Sequence, residues 1–211
     1  SQTAKYKNSR ATAIFNKSYE LYHLERVKKG SGKAPEIYLM EGFMDVIAAY
    51  RAGIENAVAS MGTALTSEHV EHLKRFTKKV IVTYDGDKAG QAATAKALDE
   101  LKDIPVQVVQ IPDAMDPDEY LQKNSPQDLA YLLTNTRISP VEFYIHHFRP
   151  ENSENLQAQI EFIEKIAPLI AKEPSITAQN SYIHILTDHL PSFDYQQVEH
   201  IVNESRVRQR K

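Results

Sequence analysis

Hydrophobic and polar positions follow one rhythm up to about residue 111 and another beyond it. In the first stretch, short apolar runs alternate with helical periodicity. Residues 36–40 predict a strand, and residues 43–51 predict a helix with Met44, Ile47 and Ala48 on one face, stopped near Gly53. Residues 56–60 read as a short buried strand. Thr66 then suits a helix N-cap, with Leu65 and Val70 placed as a hydrophobic staple, for a helix reaching Phe76. Residues 79–84 form the strongest strand signal, a β-rich run ended by Asp85-Gly86. An alanine-rich helix over 89–101 and a strand over 106–111, ended by Pro112, complete the series. Strands alternating with helices of this length predict βαβ units, a mostly parallel four-stranded sheet and right-handed crossovers.

Beyond Asp118 the strand signals stop. Ser125-Pro126 and Ser139-Pro140, each with an acid in the first turn at Asp128 and Glu142, read as capped helix starts. The second has the spacing of a capping box. Helical patterns follow over about 140–149, 153–172, 175–190 and 194–208. Ile160, Ile163, Ile166, Ala167 and Ile170 make an amphipathic stripe that suits a helical bundle core. The expected organisation is therefore a leader over 1–35, an α/β domain over 36–124 and an all-α subdomain over 125–211.

Composition narrows the class. A chain of 211 residues with 42% hydrophobic and 25% charged residues suits one or two globular domains. No apolar run approaches a membrane span, and no signal-peptide pattern opens the chain, so no membrane partner and a cytoplasmic location are expected. The absence of cysteine removes disulfides, thiol chemistry and cysteine zinc sites from this chain. The net charge of −3 is unevenly spread: residues 1–35 hold eight basic and two acidic residues, leaving −9 for the rest. A basic leader beside an acidic body suits an enzyme that holds polyanions on one side and metal ions on the other; a solvated arm is the plainer alternative.

Acids fall where those strands should end. Glu41 follows the first, Asp85 and Asp87 the third, and Asp116 and Asp118 the fourth, while Asp45 lies one helical turn after Glu41. If strand geometry continues through Asp85-Gly86-Asp87, both carboxylates point to one side, and Gly86 removes a side chain that would crowd them. In a parallel sheet these ends share one edge, where ligands bind. Convergent carboxylates repel, and a hard cation such as Mg²⁺ or Mn²⁺ resolves that repulsion. No histidine or cysteine accompanies them, which argues against zinc. His69, His72, His146 and His147 read as helix-surface residues. Gly90 suits either close helix packing or phosphate approach.

The motif Glu41-Gly-Phe-Met-Asp45, followed by Tyr84-Asp85-Gly-Asp87-Lys88-Ala-Gly90, resembles the Toprim domain of primases, topoisomerases, recombination mediators and some nucleases. Ala59-Ser60-Met61-Gly62-Thr63-Ala64-Leu65-Thr66 and Asp116-Pro117-Asp118 narrow the likeness to bacterial DnaG-type primases. The basic stretch around Lys5-Tyr6-Lys7-Asn8-Ser9 and Ile14-Phe15-Asn16-Lys17 agrees.

The resemblance implies a Toprim fold followed by an all-α helical subdomain, and a DNA-directed RNA polymerase that makes short RNA primers. Glu41, Asp85 and Asp87 would be catalytic and would hold two or more Mg²⁺ or Mn²⁺ ions about 4 Å apart. Asp45, Asp116 and Asp118 would complete the acidic cluster. Lys5, Asn8, Lys17 and Lys88 would contact nucleotide phosphates or nucleic acid. The implied partners are a single-stranded DNA template, ribonucleoside triphosphates, the RNA primer and a replicative helicase, the last through a domain outside this chain. The likeness marks the chain as a fragment lacking upstream and downstream domains. A Toprim nuclease or topoisomerase fragment, and a metal- or nucleotide-binding module without activity of its own, are the alternatives.

Overall fold

The computed structural model describes residues 21–27 and 32–211. Lys5, Asn8 and Lys17 lie outside the described residues. Two compact units, Ser1–Ile138 and Ser139–Lys211, divide the chain.

The first unit opens with the short helix α1 (Leu24–Val27) and then builds β1 (Ile37–Met40), α2 (Phe43–Arg51), β2 (Ala57–Ala59), α3 (Ser67–Phe76), β3 (Val80–Val82), α4 (Lys88–Glu100) and β4 (Val106–Val108). The four strands form one parallel sheet in the order β2-β1-β3-β4. All residues of β1, β2 and β3 are buried, as expected for parallel strands covered on both faces. β1 is central, and the connection from β2 to β3 must pass over it. Right-handed crossovers therefore put α2 on one face and α3 and α4 on the other. The carboxyl ends of β1 and β3 meet where the winding reverses, the place at which such sheets bind ligands.

A 3-10 turn, Pro112–Ala114, leads to α5 (Pro117–Lys123) and α6 (Pro126–Asn135). Helix α5 was not among the expected elements, although a turn or helix cap was the plainer reading of Asp116-Pro-Asp118; Asp116 caps a two-turn helix. The first compact unit runs on to Ile138, past the expected domain boundary at 124/125. Leu129, Leu132 and Leu133 of α6 share a core with Tyr38, Met40 and Ile81 of the sheet, and Ile138 forms a bridge with Val108. Helix α6 therefore covers the α/β unit instead of opening the helical one. The end of the leader docks here too: Leu21, Leu24 and Val27 are buried, and Tyr22 bridges Ala59 at the sheet edge.

A polar clasp closes the opposite end of the sheet from the acids. Arg137 pairs with both Glu36 oxygens at 2.7 and 2.9 Å and donates to the Tyr38 hydroxyl, which itself donates to Leu133 O. The guanidinium holds the Glu36 carboxyl below its usual range. Bidentate pairing fixes both partners, and removing Arg137 takes one partner from the buried Tyr38 hydroxyl and leaves half-buried Glu36 with only the Lys79 ammonium at 3.3 Å. Arg137→Ala should cost about 2 kcal/mol of stability, read from urea unfolding monitored by circular dichroism. A midpoint unchanged by the substitution would show that the clasp contributes nothing.

The second unit contains α7 (Pro140–Phe148), α8 (Leu156–Ala171), α9 (Ile176–Thr187) and α10 (Tyr195–Gln209). The expected stripe on α8 is its core: Ile163, Ile166, Ala167 and Ile170 are buried with Ile183, Leu186, Val198 and Val202. One capping detail differs. Ser139 accepts from the Glu142 N–H, but the reciprocal box forms at Ser125–Asp128. The Glu142 carboxylate lies instead 3.8 Å from His146 Nε2 on the next turn. Among the described residues, no helix is long and apolar enough to cross a membrane.

Candidate metal centre

Each acid reaches the sheet edge by a different local device. β1 ends at Met40, so Glu41 follows its last residue and is half-buried. Gly42 then takes the extended cap position of α2. Asp45 in the first turn is almost fully buried and accepts from Gly42 N–H at 3.2 Å and from Asp118 N–H at 3.3 Å. It thus ties α2 to α5. Asp118 is buried as well, and its carboxylate accepts from Gln122 Nε2 at 3.0 Å. Asp116 caps α5, accepting from Glu119 N–H at 2.7 Å, while the Glu119 carboxylate accepts from Asp116 N–H.

β3 ends at Val82, and Asp85 is half-buried where it faces Glu41. The expected alternation of Asp85 and Asp87 does not hold, because strand geometry stops before them. Asp87 is exposed and accepts from Gly90 N–H at 2.7 Å as the N-cap of α4. Lys88, the first residue of α4, is exposed.

The glycines fix how closely these pieces approach. A Cβ at Gly86 would lie 2.1 Å from Ile111 O, and Gly86 N–H donates to Met115 O at 2.9 Å. The Asp85-Gly-Asp87 turn is therefore seated against the segment after β4, which turns through left-handed Asp113 and Ala114. Gly90 settles in favour of close helix packing: a Cβ there would lie 2.0 Å from Asp85 O. Gln91 Nε2 also donates to Asp85 O at 3.3 Å, and Gln91 Oε1 accepts from Gln110 Nε2 at 3.2 Å. Gln91 and Gln110 carry no motif, and only the folded chain brings them together.

The electrostatics follow from this crowding. Burial first, then the shared hydrogen bond with Glu41 and the neighbouring charges of Asp116 and Asp87, push the Asp85 carboxyl far above the carboxylate range. Glu41 is raised by burial and by Asp45, Asp87 and Asp116. The two carboxyls are hydrogen-bonded to each other, and burial raises both. Asp45 is pushed up to about 7 by burial and by Asp116 and Asp85. Asp85 Oδ1 is buried without a hydrogen-bond partner. Among the described residues, no three acids or histidines are arranged as a group that could hold a metal ion. An oxygen-only donor set, mutually repelling and with one buried oxygen unsatisfied, still fits a hard divalent cation that would take a proton's place. One histidine expected on a helix surface is corrected: His69 is fully buried, and its ring accepts from Thr66 N–H at 3.1 Å.

Comparison with known proteins agrees with this geometry. Residues 38–121 match a family described as Toprim-like. The chain is 55% identical to the DNA primase of Lactococcus lactis subsp. lactis (strain IL1403) over 200 residues, which is 95% of this chain and 31% of that protein. Against a Staphylococcus aureus DNA primase it is 34% identical over 210 residues, 99% of this chain and 34% of the relative. It thus spans about a third of the length of these relatives. Among solved structures, a DnaG catalytic core gives a TM-score of 0.66 at 29% identity, covering 93% of this chain and 65% of that one. A DnaG primase catalytic domain bound to single-stranded DNA gives 0.67 at 30% identity, covering 93% and 63%.

Proposed function

We propose that the chain is the Toprim-bearing segment of a bacterial DnaG-type DNA primase and supplies the metal-dependent nucleotidyl-transfer centre that extends RNA primers on a single-stranded DNA template. The observation that carries this reading is the pair Glu41–Asp85, two half-buried carboxyls from adjacent strand ends that are hydrogen-bonded to each other, crowded by neighbouring acids, and leave one buried oxygen unsatisfied. Such an arrangement costs stability in an apoprotein and is offset when a cation binds.

Glu41, Asp85 and Asp87 hold the divalent cations, Mg²⁺ or Mn²⁺. When bound, these activate the primer 3′-hydroxyl and neutralise the triphosphate and its departing pyrophosphate. Glu41 and Asp85 release a proton as they become ligands. Asp116 adds negative potential from the N-cap of α5. Asp45 spends its two oxygens on backbone donors, so its work is to lock the β1–α2 turn against α5; Asp118 gives that lock its N–H. Lys88, with Lys5, Asn8 and Lys17 of the leader, contacts nucleotide phosphates or template. The incoming ribonucleoside triphosphate and the primer meet at the sheet edge, and a replicative helicase engages parts of the protein beyond this chain.

Single-stranded DNA in the structure of the related catalytic domain supports the template assignment. A Toprim nuclease or topoisomerase would use the same acids, but neither the matched relatives nor any tyrosine in the site favours it.

Calorimetric titration of Mn²⁺, then of a ribonucleoside triphosphate, tests the centre. The wild type should bind metal with a heat that varies with buffer ionisation, because protons leave, and should bind nucleotide only afterwards. The Asp85→Ala, Asp87→Ala double variant should bind neither. Equal binding by both proteins would move the metal site elsewhere.

A further inference from the structure

Glu41 is the one acid whose position depends on three strands at once. On one side, Thr83 N–H donates to Leu39 O at 2.8 Å, carrying β3 along β1. On the other, Ser60 N–H donates to Met40 O at 3.2 Å and Met61 N–H donates to Glu41 O at 2.9 Å. The chain after β2 thus continues alongside β1 until it holds the backbone of Glu41 itself. It then leaves abruptly, through Met61 at φ 60° and Gly62 at φ 80°. Met61 is a non-glycine residue in the left-handed region, a conformation that costs about 1 kcal/mol and persists only where its surroundings enforce it.

Two buried hydroxyls face this strained turn. Ser60 is 3% exposed and Tyr84 is 4% exposed. They come from opposite neighbours of β1, Ser60 after β2 and Tyr84 after β3. Both line, with Glu41, a cavity of about 360 Å³ that extends along α4. The two hydroxyls share a hydrogen bond, and Tyr84 is close enough to feel the Glu41 charge.

We propose that the Ser60–Tyr84 hydroxyl pair is a positioning clasp: it spans the end of β1, holds the ends of β2 and β3 at fixed spacing, and so sets the distance between Glu41 and Asp85 at which a divalent cation is bound. Neither hydroxyl is a ligand in this scheme. Their work passes through Met61 to the Glu41 backbone and through the chain from Tyr84 to Asp85. The inference rests on the reading of Glu41 and Asp85 as metal ligands. It adds a part of the device that the acid motifs do not contain.

Ser60→Ala, Tyr84→Phe and the double variant test it, each made in the full 211-residue chain. Mn²⁺ affinity and the electron paramagnetic resonance spectrum of bound Mn²⁺ are read beside the metal-free melting temperature. Each single variant should weaken Mn²⁺ binding by about tenfold, the effect of losing one orienting partner of a metal ligand, and should alter the Mn²⁺ spectrum. The double variant should be no worse than either single, because one shared bond is removed in all three. Additive losses, or a lower melting temperature with unchanged Mn²⁺ affinity and spectrum, would overturn the clasp and leave ordinary core packing. If the wild type itself binds no Mn²⁺, the metal reading fails first and the clasp with it. Tyr84→Phe keeps the ring, so it preserves the core even if Ser60→Ala disturbs the turn.

Discussion

Asp85→Asn should lower primer synthesis by about a thousandfold or more, the several kcal/mol that a bound metal supplies, while making the metal-free protein more stable at neutral and alkaline pH. The two effects share a cause. The Glu41–Asp85 pair and Asp45 have folded-state pKa values above those of an unfolded carboxyl, Asp45 at about 7. A group raised in this way binds its proton more tightly in the folded state. Its contribution to stability is complete below the unfolded value near 4 and is lost as pH rises through the folded value. The metal-free wild type should therefore melt at progressively lower temperature from about pH 5 to pH 8. Asparagine at 85 carries no charge to repel Glu41, so the slope should flatten. Mn²⁺ should raise the melting temperature of the wild type at pH 8 and leave the variant unchanged, since binding to the folded state alone shifts the equilibrium. Melting curves at three pH values, with and without Mn²⁺, check all of this. A variant as destabilised at pH 8 as the wild type would show that the acids do not repel one another in the apoprotein.

Much of this centre was legible in the sequence because its parts are local. Glu41 and Asp85 sit where apolar runs end, and a parallel sheet brings such ends to one edge. Runs such as 37–40 and 80–82 are buried on both faces, so their apolar character is continuous and easily read. Other features were not legible. Asp87 and Asp116 also cap helices, and Asp45 accepts from two backbone donors, roles that come in addition to any place in the acidic cluster. Spacing alone treats all acids as equivalent. The α5 helix was hidden because its two turns are too short to show periodicity. His69 was taken for a surface residue because a capping role for its ring leaves no pattern in the sequence. Arg137 and Glu36 meet across a hundred residues of chain, and nothing local announces such a pair.

Gly90→Ala should cost more than about 3 kcal/mol of stability. In an isolated helix this change stabilises, since alanine is the better helix former by about 1 kcal/mol. Here the sign reverses. The added Cβ would lie 2.0 Å from Asp85 O, 2.6 Å from Asp85 C and 2.9 Å from its Cα. All three are backbone atoms of the strand end, so no side-chain rotation relieves the clash. Either α4 moves outward or the Asp85 turn moves inward. Outward movement breaks the Gln91 bond to Asp85 O. Inward movement presses Gly86 against Ile111 O, where there is no room. Both routes displace the two aspartates relative to Glu41. Urea unfolding should therefore show the stability loss, and Mn²⁺ titration of the remaining folded protein should show weakened binding. The pairing distinguishes this site from an ordinary overpacked core, in which stability would fall and Mn²⁺ affinity would hold. A stabilised Gly90→Ala protein would mean that α4 does not abut the strand end as closely as the 2.0 Å approach requires.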